Sequence, residues 1–337
     1  MTLSIGIFAS KGIPQVESLI QKLAETGVDA FFFDMGLPPE ERVCLYETGA
    51  RWNDIELTEL NYAYVHGFSF QSPVVPNHGG ERDWSVWQAD YPAQQQKYSF
   101  LHSLFTRLER HGVRMITPVE ALQAMFAKHH LLQNLSRDGF SVPEMLVTNV
   151  PQEAEKFCEK HEIVIWRPQN GKAAWQLCLE KQRTAIIHPD LPPPILASAI
   201  KGPVVRSWIF NGNPLLTLRS APPSAAVPER LEQLSTFDSS PFEKELSRLA
   251  ETLGAPWFQV LFVPQGKHLW IYDIDTDPIY DWLPEIYADT LTNNLVAGLV
   301  GTPAAQKNED SSAKRPAIFL RRMLRILFDF ENCKYGK

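Results

Sequence analysis

Leu269-Trp270-Ile271-Tyr272-Asp273-Ile274-Asp275-Thr276-Asp277-Pro278, preceded by Leu253-Gly254-Ala255-Pro256-Trp257-Phe258-Gln259-Val260-Leu261-Phe262, is the stretch on which the reading of this chain turns. Both halves are β-branched and aromatic runs bounded by turn residues, the composition of two successive strands. Side chains alternate along a strand, so Asp273 and Asp275 share a face, and two hard oxygen donors on one face suit magnesium. The competing reading is a strand-end turn, which Asp277-Pro278 favours.

Working outward, Ser240-Pro241-Phe242-Glu243 reads as a capping box with proline at the first helical position, and Gly254 as the stop of that helix. Before it, Gly202-Pro203-Val204-Val205-Arg206-Ser207-Trp208-Ile209-Phe210 runs to Asn211-Gly212, a hairpin signal, and returns through Leu216-Thr217-Leu218-Arg219. Arg206 and Arg219 are expected to point into one cleft. Further upstream, a helix over Lys128–Arg137, a strand over Glu144–Thr148, a helix over Pro151–Lys160 and a strand over Ile163–Arg167 follow in quick order. The first 35 residues read as β-α-β: strand Leu3–Ser10, a helix with Val16, Leu19, Ile20 and Leu23 on one face and Gly27 as its stop, then strand Val28–Met35. That pattern favours a parallel sheet. A strand near Leu60–Val65 precedes a long polar and aromatic loop, Phe68 to about Ala93. Tyr98, Leu101, Leu104, Phe105 and Leu108 then recur at helical spacing up to Gly112.

With 337 residues, 44% of them hydrophobic and 21% charged, the chain suits two or three globular domains. No run approaches the roughly 18 apolar residues of a membrane span. Met1 leads directly into an alternating strand without the features of a secretory signal, so a cytoplasmic protein is expected. Four scattered cysteines suggest neither a disulfide framework nor a zinc site, and a net charge of −7 argues against a nucleic-acid surface. Ala9-Ser10-Lys11-Gly12 after the first strand lacks the glycines of a dinucleotide fingerprint, and no Gly-x-Ser-x-Gly elbow occurs. Pro303–Lys314 reads as a linker, and Pro316–Phe330, with Arg321, Arg322 and Arg325, as a terminal amphipathic helix.

Four segments, in order, carry a resemblance. Lys128-His129-His130-Leu131-Leu132-Gln133 with Gly139-Phe140-Ser141-Val142-Pro143; Ile163 to Arg167-Pro168-Gln169-Asn170-Gly171-Lys172; the strand around Arg206; and the pair quoted first together resemble the landmarks of ATP-grasp ligases. The likeness is nearest to ribosomal-protein glutamyl ligases, glutathione synthetases and microviridin-type peptide maturases. It implies an α/β plus α+β fold: an N-terminal parallel α/β domain (1–112), a central lobe (113–198) and a C-terminal lobe (199–302) enclosing a nucleotide cleft, then a linker (303–314) and a terminal helix (315–337). It further implies ATP and Mg2+ as cofactors. Lys128 and Arg167 would face the phosphates, Gly171 and Lys172 would lie in the flap above them, and Ala197, Ser198 and Ile200 would border the adenine. Arg206 and Arg219 would serve phosphoryl transfer, and Asp273 and Asp275 the metal.

The chain departs from that pattern at several points. Arg167 stands for a lysine and is not equivalent to it at a phosphate site. Only Gly171 remains of the flap glycines, Ser198 stands for an acid, Leu261 for a metal-binding aspartate, and Asp275 for an asparagine. Taken singly, Lys128 reads as a solvated helix-start lysine, Arg167 as a partner for a carboxylate, and Arg206 and Arg219 as exposed strand residues. The expected function is magnesium-dependent ligation of a carboxylate to an amine or hydroxyl through an acyl phosphate; the alternative is a non-catalytic nucleotide-binding homologue. Expected partners are ATP and a carboxylate-bearing small molecule or peptide, with a homodimer allowed and no nucleic acid. In the family, loops of the N-terminal domain choose the acceptor, which directs attention to residues 68–93.

Overall fold

The structure, a computed structural model, describes residues 3–68, 84–169, 173–220 and 234–301. The first sheet is parallel, as the opening β-α-β pattern predicts: β1 (Ser4–Ala9), β2 (Asp29–Asp34), β6 (Tyr62–Val65) and β7 (Arg114–Met115) lie in the order β2-β1-β6-β7. Ile5, Ile7 and Ala9 of β1 turn to one face, where Val16, Leu19 and Leu23 of α1 (Pro14–Glu25) cover them. Phe8 turns to the other, against Phe33, Phe105 and Trp52. Gly6 shares that crowded face, and a β-carbon there would come within 2.7 Å of Leu60. Gly27 takes φ +76° as it closes α1, the role its position predicts.

Three features of this region depart from expectation. The sheet runs on to β7, past the border expected at residue 112. A small antiparallel sheet of β3 (Val43–Tyr46), β4 (Gly49–Trp52) and β5 (Ile55–Glu56) is added, its strands too short for period-two patterning to reveal. The helix α2 spans Trp84–Arg110, so part of the stretch expected as a loop is helical, with Pro92 inside the helix rather than before it. The rest of that loop, 69–83, lies outside the described residues.

After α3 (Val119–Ala124) and α4 (Lys128–Arg137), the central sheet is antiparallel in the order β10-β9-β11-β8, made of β8 (Met145–Val147), β9 (Val164–Arg167), β10 (Gln176–Leu177) and β11 (Ile195–Ser198). The helices α5 (Pro151–Lys160) and α6 (Glu180–Ile186) accompany it. The third sheet, β14-β13-β12-β15-β16, is antiparallel throughout: β12 (Val204–Phe210), β13 (Asn213–Ser220), β14 (Leu234–Thr236), β15 (Trp257–Gln265) and β16 (His268–Asp275). Asn211 (φ +50°) and Gly212 (φ +79°) form the β12–β13 turn with both central residues at positive φ, as the hairpin signal predicts.

The helix α7 (Glu243–Leu253) ends on Gly254 at φ +60°, but the capping box does not form. Ser240 lies within a 3-10 turn ahead of the helix, and its N–H is taken by Asp238 (3.0 Å) instead. The helix α8 (Glu285–Gly301) returns to pack on α1 and β13. One apolar core therefore joins Ile5 and Val16 of the first sheet's layer to Trp208, Phe210 and Leu295. The described residues belong to a single compact unit, whereas the expected linker and terminal helix lie outside them.

Candidate functional site

Cross-strand register sets the site. Arg206 stands opposite Leu261, and Leu261 opposite Asp273; in the next row Trp208 stands opposite Gln259, and Gln259 opposite Asp275. Directly opposed residues share a face. One face of the third sheet thus carries Arg206, Leu261, Asp273, Gln259 and Asp275. The other carries Val205, Val260, Phe262 and Ile274 into the core beneath α4 and α7.

Lys128 opens α4 and is 1% exposed, the reverse of a solvated lysine. Its Nζ donates to Asp273 Oδ1 (2.7 Å) and to the Ile274 carbonyl. Arg167, at the end of β9 in the central sheet, is equally buried and donates to Asp273 Oδ2 (2.7 Å), with its guanidinium 5.5 Å from the Trp175 ring. Two cations, one from α4 and one from β9, therefore meet on one carboxylate of β16. Burial pulls the Asp273 carboxyl up, but the charges of Arg167 and Lys128 outweigh it and hold the group at about 2. Burial pushes the Lys128 ammonium below the usual lysine range, against the pull of Asp273 and Asp275.

Arg206 and Arg219 do not share a cleft. Arg219 pairs with Val205 and Arg206 with Leu218, so the two arginines leave opposite faces of the sheet. Counting strand positions placed them on neighbouring strands, but only the register decides the face, and a one-residue offset reverses it. Arg206 lies 5.3 Å from the Trp282 ring on the face of Asp273, while Arg219 is exposed and donates to Ser235 Oγ (3.0 Å).

The hinge stretch forms β11, paired with β8 and β9. Its backbone donors are used internally: Ser198 N–H to the Glu144 carbonyl (3.0 Å) and Ala199 N–H to that of Ile163 (2.9 Å). Ile200 N–H donates to the Tyr272 hydroxyl (2.5 Å), which in turn donates to the Ser198 carbonyl (3.1 Å). One phenol thus bridges the donor and acceptor that the expectation assigned to a base edge. Tyr272 is the extra residue of a bulge in β16, between Ile271 opposite Phe262 and Asp273 opposite Leu261. Gly171 and Lys172 lie outside the described residues.

Some site residues went unread in the sequence. Gln259 is 4% exposed directly across from Asp275, and strand alternation alone could have found it. Tyr272 depends on the bulge, and His66 with Asp277 on a long-range contact, so neither leaves a local signal. Among the described residues no cluster of three or more His, Cys, Asp or Glu is assembled, and no helix is long and apolar enough to cross a membrane.

No protein-family model matches the chain, and no curated protein matches it. Solved structures do. The chain is similar to the ATP-grasp ligase PsnB, solved with a phosphomimetic variant of its minimal precursor, Mg and ADP: TM-score 0.72 at 18% identity, over 89% of this chain and 97% of that one. It is similar to the macrocyclase MdnC of Microcystis aeruginosa MRC, bound with precursor peptide MdnA (TM-score 0.69, 15% identity, 89% and 100% covered). A RimK-domain ATP-grasp protein of Sphaerobacter thermophilus gives TM-score 0.55 at 14% identity over 88% and 100%. With this likeness running over nearly the whole length of these proteins, the chain has the ATP-grasp fold.

Proposed function

We propose that the protein binds ATP with magnesium between its central and C-terminal lobes and uses it to activate a carboxylate for attack by an amine or hydroxyl, with a peptide as the favoured substrate. The observation that carries the proposal is the convergence of Lys128 and Arg167, from a helix and a strand of the central lobe, on Asp273 of the C-terminal lobe. Burying two cations is expensive unless they are paired, and one carboxylate leaves the trio with a net positive charge that suits a polyphosphate. The peptide is favoured because PsnB and MdnC, which share the fold, were solved with their precursor peptides.

The donors fit one magnesium ion. A carboxylate offers about four lone-pair positions. Asp273 Oδ1 receives Lys128 and the Ile274 N–H, and Oδ2 receives Arg167. Room remains on Oδ2, and Asp275 stands on the same face. Magnesium held through one or two carboxylates completes its shell with phosphate and water. When bound, the ion shares the charge that develops as a phosphoryl group moves. Lys128 and Arg167 would offset the charge of the phosphates, and Arg206, on the face of Asp273, would hold the phosphoryl group as it passes to the substrate carboxylate. Leu261 between Arg206 and Asp273 favours a second reading, nucleotide binding without turnover, because a hydrocarbon there supplies no ligand for a second ion.

Thermal unfolding with and without millimolar ATP and magnesium tests the proposal. A ligand bound only by the folded protein stabilises it by about 2.7 kcal/mol at a hundredfold excess over its Kd, a rise of several degrees in Tm. No rise sinks both readings. A rise together with ADP release when a carboxylate and an amine are supplied eliminates the second.

A further inference from the structure

Asp275 leads into a loop, Thr276–Tyr280, that the N-terminal lobe grips through buried polar side chains. His66 follows β6 and is 2% exposed; its Nδ1 lies 2.6 Å from Asp277 Oδ1. Gln15 Nε2 lies 3.4 Å from the same Nδ1. Gly67 N–H donates to the other oxygen of Asp277 (2.9 Å). Gln15 of α1, 4% exposed, donates through Nε2 to the Pro278 carbonyl (3.2 Å) and accepts the Tyr280 N–H through Oε1 (2.8 Å). From the side of α3, the Ala121 carbonyl accepts the Thr276 hydroxyl (3.0 Å). The Tyr64 ring stacks on His66 at 6.0 Å with an interplanar angle of 1°, which restricts the tilt of the imidazole.

This grip reaches the metal candidate directly. The Asp277 N–H donates to Asp275 Oδ1 (3.0 Å), so the position of Asp277 sets that of the Asp275 carboxylate. Gly67 has φ +74°, which lets the chain turn away from β6 immediately after the contact. We infer that His66 and Gln15 are positioning residues: through Asp277 and the loop backbone, the N-terminal lobe holds Asp275 in place for magnesium. The inference rests on the proposed magnesium site and goes beyond it by making metal affinity a property of the contact between two lobes. The chain that leaves Gly67 enters residues 69–83, so the grip sits at the root of the segment expected to choose the acceptor.

Outer partners that orient a ligating carboxylate govern metal affinity about 10- to 100-fold. The test is the magnesium concentration that gives half of the ATP-induced rise in Tm, measured on the full chain as wild type, His66→Leu, His66→Asn and Gln15→Leu. The expected result is an increase of about tenfold or more for His66→Leu. His66→Asn should largely restore it, because its amide nitrogen reaches the place of Nδ1. A purely structural role would lower the ligand-free Tm of both His66 variants and leave the magnesium half-point where it was, and that result overturns the inference. If His66→Leu fails to fold, Gln15→Leu, which frees Pro278 and Tyr280, carries the same prediction and the same refutation. The wild-type arm stands apart: no magnesium dependence there removes the site itself, and the inference with it.

Discussion

Asp273 and Asp277 stand on either side of Asp275, and each is held by two groups from elsewhere in the fold, but the groups differ. Asp273 meets two full cations, Lys128 and Arg167, whereas Asp277 meets an imidazole and a backbone N–H. The first arrangement carries excess positive charge and can trade its internal anion for the anion of a ligand. The second sets one carboxylate against one imidazole and one backbone N–H and holds no surplus cation. Placed at the end of one strand and in the loop that follows it, they divide the labour: one cluster supplies charge, the other supplies position.

Removing each carboxylate in turn is the strongest way to break this comparison. Asp273→Leu removes the carboxylate to which two buried cations both donate, and should cost about 3 to 5 kcal/mol of unfolding free energy by urea titration. Adding Lys128→Met and Arg167→Met to that variant should recover most of the loss, since a well-packed apolar trio needs no counter-charge. Asp277→Leu removes an acceptor from His66 and Gly67 and should cost less, about 1 to 3 kcal/mol. Equal losses at the two sites would mean that the cations around Asp273 reach water on their own.

Acid sharpens the same contrast. Because Asp273 titrates at about 2 when folded, against an ordinary value of about 4, its contribution is fully present above pH 4 and is lost as pH falls through 2. The amount is about 3 kcal/mol, to be read as a component of the acid unfolding curve that is absent in Asp273→Asn. Lys128 gives a slope of the same sign at the other end of the pH scale. Its folded pKa is lowered, so the unfolded chain holds that proton more tightly and stability rises as pH climbs toward the ordinary lysine range. A wild-type curve parallel to that of Asp273→Asn between pH 4 and 2 would refute the pairing.

The same contrast explains what could be read from sequence. Elements with a local signature were legible: the β-α-β start, the Asn211-Gly212 hairpin, the helix beginning at Lys128, and Asp273 with Asp275 on one strand face. Lys128 and Arg167 were legible as residues that begin or end an element with a recognisable pattern, and the structure brings both to Asp273. Facts set by pairing partners were not. The face of Arg219 follows from its register with Val205, the capture of Ser198 and Ile200 follows from a bulge at Tyr272, and the grip on Asp277 joins residues separated by more than half the chain. Ser240 shows the same limit in miniature: its composition fits a cap, but Asp238 reached the N–H first.

The smallest expected effect on stability, and the one that best separates turnover from binding, comes from Leu261→Asp. Leu261 is half-buried beside Val263 and Tyr272, so exchange for aspartate forfeits some apolar packing and sets a second carboxylate next to Asp273. Against that, the register puts Arg206 directly across, and an opposite-charge cross-strand pair returns roughly 0.2 to 1 kcal/mol. The two effects should nearly cancel, leaving a net loss of about 1 kcal/mol or less. Metal binding has no such cancellation. A third hard donor in the row with Asp273 supplies the ligand that a second ion lacks, so the magnesium half-point should fall and, in an active ligase, ADP release should rise because two ions share the developing charge. If the half-point falls while ADP release stays absent with a carboxylate-bearing peptide and an amine supplied, the site binds its nucleotide without using it. If neither changes, Leu261 does not face the metal and the row from Arg206 to Asp273 is only structural.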